Sequence, residues 1–173
     1  MSYTIEEFYI NQKFPAKDRK VLDIWKNFCL KSPPLPELGK GSLSVRHDKI
    51  YDYFKNNFSN NLCLLENNDK FAIFGHGKSW LDDPSVGLPD GKIAVMIMGA
   101  TDSKTNPYIT MDILKEFFRR LKEKHGYSVV AWNQNREFRR KPFERLMKKL
   151  GAKQTGDCFF IELWLNTKNS NTY

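Results

Sequence analysis

The stretch of sequence that decides the fold runs from residue 128 to residue 163 and reads SVVAWNQNREFRRKPFERLMKKLGAKQTGDCFFIEL. Its first apolar run, Ser128–Trp132, predicts a buried strand. Pro142 predicts the first position of a helix, because the N–H that proline lacks would be unpaired there. Gly151 predicts the end of that helix. A second apolar run, Cys158–Leu165, predicts a closing strand.

The chain before this stretch also alternates predicted strands and helices. Strands are predicted at 2–10, 61–66, 71–75 and 92–98, and helices after Pro15, over 44–58 and from Thr110 to Gly126. We interpret 31–41, 76–91 and 100–109 as loops, and Asn67-Asn68-Asp69 as a hairpin turn. The order is strand, two helices, three strands, helix, strand, helix, strand. It predicts an α/β fold with a central mixed β-sheet flanked by about four helices.

Length and composition predict one domain that needs no disulfide bonds for its stability. The chain has 173 residues, 40% of them hydrophobic, so we expect a single domain over 1–165 and a loose polar tail over 166–173. Cys29, Cys63 and Cys158 are widely spaced and show no metal-ligand pattern, so we interpret them as buried thiols in a reducing compartment. No metal site is predicted. We expect no signal peptide and no membrane span, and hence a cytoplasmic protein.

The 128–163 stretch resembles the last third of the GNAT (N-acyltransferase) superfamily, and the order of elements matches that fold over most of the chain. The resemblance implies an acetyl-CoA site between two parallel strands, here 92–98 and 128–132. It implies that the backbone at Met98 and Gly99 and the helix start at Thr110 would hold the cofactor, together with Asn133 in the family's asparagine-containing turn.

The sequence departs from the GNAT pattern at the phosphate-binding turn. The family places a glycine-rich turn at the helix start, whereas this chain has Pro107, Tyr108 and Ile109 there. Proline removes one backbone donor. Asp112 puts a negative charge in the first helical turn, where it would repel a pyrophosphate. We therefore interpret Thr110 and Asp112 as an ordinary capped helix start, and expect no cofactor unless the protein is an enzyme using acetyl-CoA.

The acid and base of the family's chemistry are also hard to find. Many relatives place a tyrosine four residues before the helix-ending glycine, and Met147 stands there in this chain. A thioether donates no proton. Tyr108 is an alternative acid, but no other feature of the sequence supports that role. Candidate bases are Asp82, Asp83, Asp102 and Glu162; we interpret the aspartates as solvated loop residues and Glu162 as lying on the solvent face of an edge strand.

The chain is also similar, more loosely, to short GNAT-like internal virion or assembly proteins of tailed phages, which keep the strand, asparagine turn and helix stop but lose the glycine turn. This resemblance implies a role without an active site, with virion or other phage proteins as partners. It places the protein in the host cytoplasm or the virion.

Positive charge is concentrated in the last predicted helix and its entry. The net charge of the chain is +8, and the basic residues of this segment are Arg136, Arg139, Arg140, Lys141, Arg145, Lys148 and Lys149. They are typical of a solvated helix face. The alternative is a surface that binds nucleic-acid phosphate or the 3′-phosphate of coenzyme A.

Three hypotheses remain open from the sequence. The first, which we favour, is a non-enzymatic GNAT-fold protein with a degenerate acetyl-CoA site, associated with virions or their assembly. The second is a divergent acetyl-CoA-dependent N-acetyltransferase acting on an amine. The third is a basic nucleic-acid-binding module. His76, between two glycines in FGHGKSW, is a further loop residue that a function could use.

Overall fold

The structure is a computed structural model. It describes residues 3–10, 20, 21, 23, 24, 48, 49, 52, 59–67, 69–76, 86–101, 110–133, 140–156 and 158–163. The strands are β1 (Ile5–Tyr9), β2 (Ser59–Glu66), β3 (Lys70–His76), β4 (Ile93–Thr101), β5 (Val129–Asn133), β6 (Lys153–Thr155) and β7 (Cys158–Glu162). The helices with described bounds are α1 (Met111–His125) and α2 (Arg140–Lys149).

The strands form one mixed seven-stranded sheet in the order β1-β2-β3-β4-β5-β7-β6. The predicted α/β class is therefore confirmed. Of the two helices predicted before residue 59, the described part holds the helical residues 20, 21, 23, 24 and 48, 49, 52, and their bounds lie outside it. The predicted tail, 166–173, is also outside the described residues. Residues 1–78 and 97–109 form one compact unit, and residues 79–96 and 110–173 form another; the single domain over 1–165 stays a prediction.

The first unit contains the antiparallel ribbon β1-β2-β3. Its core comes from the apolar runs of β2 and β3, in which all of Leu62–Leu65 and Phe71–Phe74 are buried. The predicted turn between them is confirmed, since the Asp69 amide donates to the Glu66 carbonyl over 2.8 Å. Asn67 takes a positive φ of 45° in this turn, a conformation that asparagine tolerates better than most residues.

The second unit is built around β5 and the helix that precedes it. Helix α1 buries one stripe, formed by Ile113, Leu114, Phe117, Phe118 and Leu121. Strand β5 is buried from Val129 to Trp132 and pairs along its whole length with antiparallel β7. The buried stripe of α1 and the buried strand β5 both follow the sequence prediction.

Both helices end at the predicted glycines. Gly126 has φ 70° and its amide donates to the Lys122 carbonyl. After α2, the Gly151 amide donates to Lys148 and the Ala152 amide to Met147, each over 3.0 Å. This double closure is a Schellman motif, and the φ of 89° at Gly151 is the reason for a glycine there.

Several predictions of element bounds were wrong. His76 ends β3 and does not lie in the predicted 76–91 loop, and the last strand ends at Glu162 and not at Leu165. Helix α2 begins at Arg140, so Pro142 is its third residue and not its first; proline is still tolerated because first-turn N–H groups have no intrahelical acceptor. Strand β4 continues to Thr101, so Ala100 belongs to a strand and not to a loop. Strand β6 was missed, because KQT is short and polar.

Candidate functional site

The parallel pair β4–β5 is the feature that distinguishes the second unit. Its register joins Ile93 with Val129, Ala94 with Val130 and Val95 with Ala131. Among the residues that the structure describes, this register ends there, although β4 continues to Thr101 and β5 to Asn133. Beyond the last pair, the described pairing of β5 is along its other edge, where Trp132 pairs with Phe159.

The amino ends of β4 and β5 are held together tightly, in contrast to their carboxyl ends. The Ser128 amide donates to the Lys92 carbonyl over 2.9 Å. The Lys92 ammonium donates to the His125 carbonyl over 2.7 Å and lies 4.4 Å from the centre of the Tyr127 ring. Gly91 has a φ of 134°, a conformation that other residues rarely adopt, and a Cβ there would lie 2.0 Å from Ser128 Oγ, so glycine is favoured at this position.

Helix α1 begins as the sequence predicted. Thr110 is the N-cap in an extended conformation, and its Oγ1 accepts a hydrogen bond from the Ile113 amide over 3.4 Å. Within the described part of the chain, the amides of Met111 and Asp112 have no acceptor, as is usual at a helix start. In a parallel β-α-β unit such a start follows the carboxyl end of the first strand, where ligands usually bind.

The same helix start carries a feature that opposes an anion. Asp112 is exposed in the first turn. Its carboxylate interacts favourably with the positive end of the helix dipole, and so competes with a bound phosphate for the same field. The fit of this helix start to a coenzyme pyrophosphate is therefore partial: two backbone donors favour it and one charge opposes it.

The other predicted cofactor contacts have mixed outcomes. Gly99 lies inside β4 and not at its end, so it cannot open the turn before α1. Met98 also lies in β4, and both residues belong to the first unit. Asn133 is the last residue of β5 and pairs with Cys158; the side chains of Met98 and Asn133 are outside the described part.

The predicted position of the acid is occupied by a core residue. Met147 is only 1% exposed, and its carbonyl takes part in the motif that ends α2. A buried thioether at this position packs and donates no proton. The alternative acid, Tyr108, lies outside the described residues.

The prediction that Glu162 lies on an edge strand was wrong, because β7 is flanked by β5 and β6. Glu162 Oε1 accepts a hydrogen bond from the Lys153 ammonium over 2.7 Å, with side-chain exposures of 15% for the glutamate and 57% for the lysine. The missed strand β6 supplies that lysine. The ion pair ties Glu162 to the neighbouring strand β6, which explains the residue without a catalytic role.

The remaining polar candidates lie mostly beyond the described residues. Asp82, Asp83 and Asp102 are outside them, and His76 ends β3 with its side chain outside them. In the described part of the chain no group of histidine, cysteine or acidic residues could hold a metal ion. No helix there is long and apolar enough to cross a membrane.

The two described cysteines are core residues, as predicted. Cys63 and Cys158 are both buried; Cys29 lies outside the described residues. Burial raises the pKa of the Cys158 thiol to about 11, and a backbone hydrogen bond with Trp132 offsets part of that rise. A thiol with so high a pKa is a poor nucleophile at neutral pH.

The basic segment is partly described. Arg136 and Arg139 lie outside the described residues, and Arg140 and Lys141 are helical with side chains outside them. Arg145, Lys148 and Lys149 are exposed on α2.

No family model and no curated protein matches the sequence, but solved structures do. The apo structure of FdhC, a nucleotide-linked sugar GNAT, gives a TM-score of 0.58 at 9% identity, covering 92% of this chain and 86% of that one. The aminoglycoside N-acetyltransferase AAC(6')-Ib11 gives 0.59 at 9% identity, covering 92% and 96%. YncA of Salmonella typhimurium, solved with its cofactor acetyl-CoA, gives 0.54 at 13% identity, covering 92% and 94%. At these identities the likeness shows the fold alone: the chain has the GNAT fold, as the sequence predicted.

Proposed function

We propose that the protein is an acetyl-CoA-dependent N-acyltransferase whose coenzyme binds at the end of the parallel β4–β5 register. The observation that carries the proposal is that register, which within the described residues of the second unit stops at Val95 and Ala131 although β5 continues to Asn133. The resemblance that the sequence suggested implies a coenzyme site at such an opening. A structural neighbour with acetyl-CoA bound adds support.

The start of α1 is the second part of the proposed site. The amides of Met111 and Asp112 are suited to an oxygen of the pyrophosphate, because helix-start amides point at an anion without a side chain between them. Thr110 already satisfies the Ile113 amide, so the cap fixes the direction of the first turn. Asp112 lowers the affinity, and we expect coenzyme binding weaker than a glycine-rich turn would give.

The chemistry that we assign to the proposed site is direct attack by an amine. Bound acetyl-CoA would supply an activated thioester; the new C–N bond replaces the C–S bond, the amine loses a proton and the departing thiolate gains one. Met147 cannot supply that proton, and Glu162 is committed to Lys153. Among the described residues no acid or base is placed for either proton transfer, so we assign both to solvent or to the candidates outside those residues, Asp82, Asp83, Asp102 and Tyr108.

A second candidate function is coenzyme binding without transfer. The buried Met147 favours it, since this side chain stands where many relatives place their acid. No observation of the described residues tests the virion or assembly role that the sequence suggested, and that role stays a prediction.

The test begins with acetyl-CoA binding, measured by calorimetry and by thermal shift, with ATP as a control that shares the adenine nucleotide but not the thioester arm. A ligand that binds only the native state stabilises it by about 2.7 kcal/mol at a hundredfold excess over its Kd. We expect acetyl-CoA to bind and to raise Tm, and ATP to do so much less. Neither heat nor a shift at millimolar acetyl-CoA would overturn the proposal.

A screen of amine acceptors then separates the two candidates. Acetylated product, detected by mass and accompanied by release of coenzyme A thiol, identifies an enzyme. Binding without product for primary amines, polyamines and peptide amines identifies the non-catalytic alternative.

A further inference from the structure

Helix α2 carries one face of positive charge that no carboxylate among the described residues pairs with. Its ten residues, RKPFERLMKK, contain five basic side chains and one acidic one, which gives a net charge of +4. Met147 and, just after the helix, Leu150 are buried, whereas Arg145, Lys148 and Lys149 are exposed. The three cations are spaced three and four residues apart, so they are neighbours on one side of the helix.

Helix α1 shows what a compensated helix looks like in the same protein. Its fifteen residues have five Lys or Arg and three acids, a net charge of +2. Glu116 accepts two hydrogen bonds from the Arg119 guanidinium, over 2.7 and 2.8 Å, and one from Arg120 over 3.0 Å. The hydrogen bond with Arg119 holds the pKa of Glu116 below its usual value. Glu123 also pairs with Arg119.

No such pairing reaches the exposed cations of α2. In the part of the chain that the structure describes, no carboxylate forms an ion pair with Arg145, Lys148 or Lys149. Glu162 of β7 is paired with Lys153 of β6. Like charges at this spacing on a helix destabilise it by a few tenths of a kcal/mol. Lys148 and Lys149 lie in the last turn, where the helix dipole offsets that repulsion.

We propose that the face of α2 formed by Arg145, Lys148 and Lys149 binds the phosphate backbone of nucleic acid. The cations project from one rigid helix with neighbouring Cβ atoms about 5–6 Å apart, which suits a row of phosphates better than a single compact anion. Arginine can grip a phosphate with two parallel hydrogen bonds, and each lysine adds a mobile point charge. Each phosphate contact also releases a counterion, which gives binding a measurable salt signature.

The experiment measures binding of a short mixed-sequence DNA duplex by fluorescence anisotropy at several salt concentrations. With three phosphate contacts, log K should fall against log salt with a slope of about −2.7, so a fourfold rise in salt costs about 40-fold in affinity. The triple variant Arg145→Gln, Lys148→Gln, Lys149→Gln should lose most of this slope. Glutamine is a good helix former, so the variant should fold, and its Tm is checked first.

The matched control removes the same charge elsewhere: Lys20→Gln, Lys49→Gln, Lys115→Gln, all at exposed positions. It should keep a slope close to that of the wild type. Equal losses in both triple variants would show that only net charge matters and would overturn the proposal, as would no binding by the wild type at low salt.

Acetyl-CoA affinity, measured on the same variants, separates this face from the coenzyme site. We expect it to be unchanged in the α2 variant. A variant that loses acetyl-CoA binding but keeps the DNA salt slope would assign the face to the coenzyme's own phosphate and would overturn the nucleic-acid proposal.

Discussion

The two edges of strand β5 are held in different ways. Towards β7, all five residues pair, from Val129 with Glu162 to Asn133 with Cys158. Towards β4, three residues pair and, in the described residues, the register then stops. The closed edge contributes stability, and the open edge is where we propose that the coenzyme binds. The proposed site can lie beside a core strand because the pairing with β7 keeps that strand in place.

The closed edge should be the most sensitive to truncation. Phe159 of β7 is buried and stacks on Trp132 of β5, with ring centres 5.9 Å apart and ring planes 13° from parallel. We expect Phe159→Ala to lower the free energy of unfolding by about 3–5 kcal/mol, because a buried ring is lost and leaves a cavity. Urea denaturation measures this, with Phe159→Leu as a milder control. A loss below about 1 kcal/mol would mean that the closed edge does not carry the stability that the pairing suggests.

The closed edge should also respond to alkaline pH. The pKa of Cys158 is raised from 9.0 to about 11 in the folded protein because burial penalises the thiolate. A raised pKa stabilises the folded state below the unfolded value, and the contribution is lost as pH rises from 9 towards 11. The loss should reach about 2 kcal/mol at the upper limit.

The measurement compares wild type with Cys158→Ala by urea denaturation across this pH window. Other groups that titrate there, Cys29 included, are present in both proteins and cancel in the difference. We expect the stability advantage of the wild type to shrink as pH rises. A constant difference would show that the thiol is more hydrated than its position in β7 indicates.

The closed edge was predictable from the sequence to a large extent, because apolar runs specify buried strands and glycines specify helix ends. Val129–Trp132, Gly126 and Gly151 follow those rules. Strand β6 was not predictable, because KQT is short and polar. Its strand conformation depends on pairing with β7, which the local sequence does not indicate. The interior position of β7, and with it the ion pair of Glu162, depended on that missed strand.

The open edge was predictable only through family resemblance. The point where β4 and β5 stop pairing depends on how two strands distant in sequence approach each other, and no residue type marks it. The length of β4 shows the difficulty: Gly99 and Ala100 are weak strand formers and suggested a loop, yet the strand continues through them. Thr110, in contrast, was found from local chemistry alone, since capping depends only on its own turn.

The smallest expected effect lies at the open edge and is the most informative about function. Asp112 is exposed in the first turn of α1, where its charge and a bound pyrophosphate would compete. Replacing it in Asp112→Asn removes the repulsion. A charge at this place is worth about 0.3–1 kcal/mol, so we expect acetyl-CoA to bind about two- to fivefold more tightly, measured by calorimetry.

The matched control is Glu123→Gln, which makes the same change of charge in the last turn of the same helix, where Glu123 pairs with Arg119. It should leave acetyl-CoA affinity unchanged, because the helix field falls off within a turn. Asp112→Asn should also lose a little stability, since the acid favours the helix start, so tighter binding despite lower Tm would separate a local electrostatic effect from general stabilisation. If both variants changed acetyl-CoA affinity equally, the start of α1 would have no special relation to the coenzyme, and only the β4–β5 opening would remain as its proposed site.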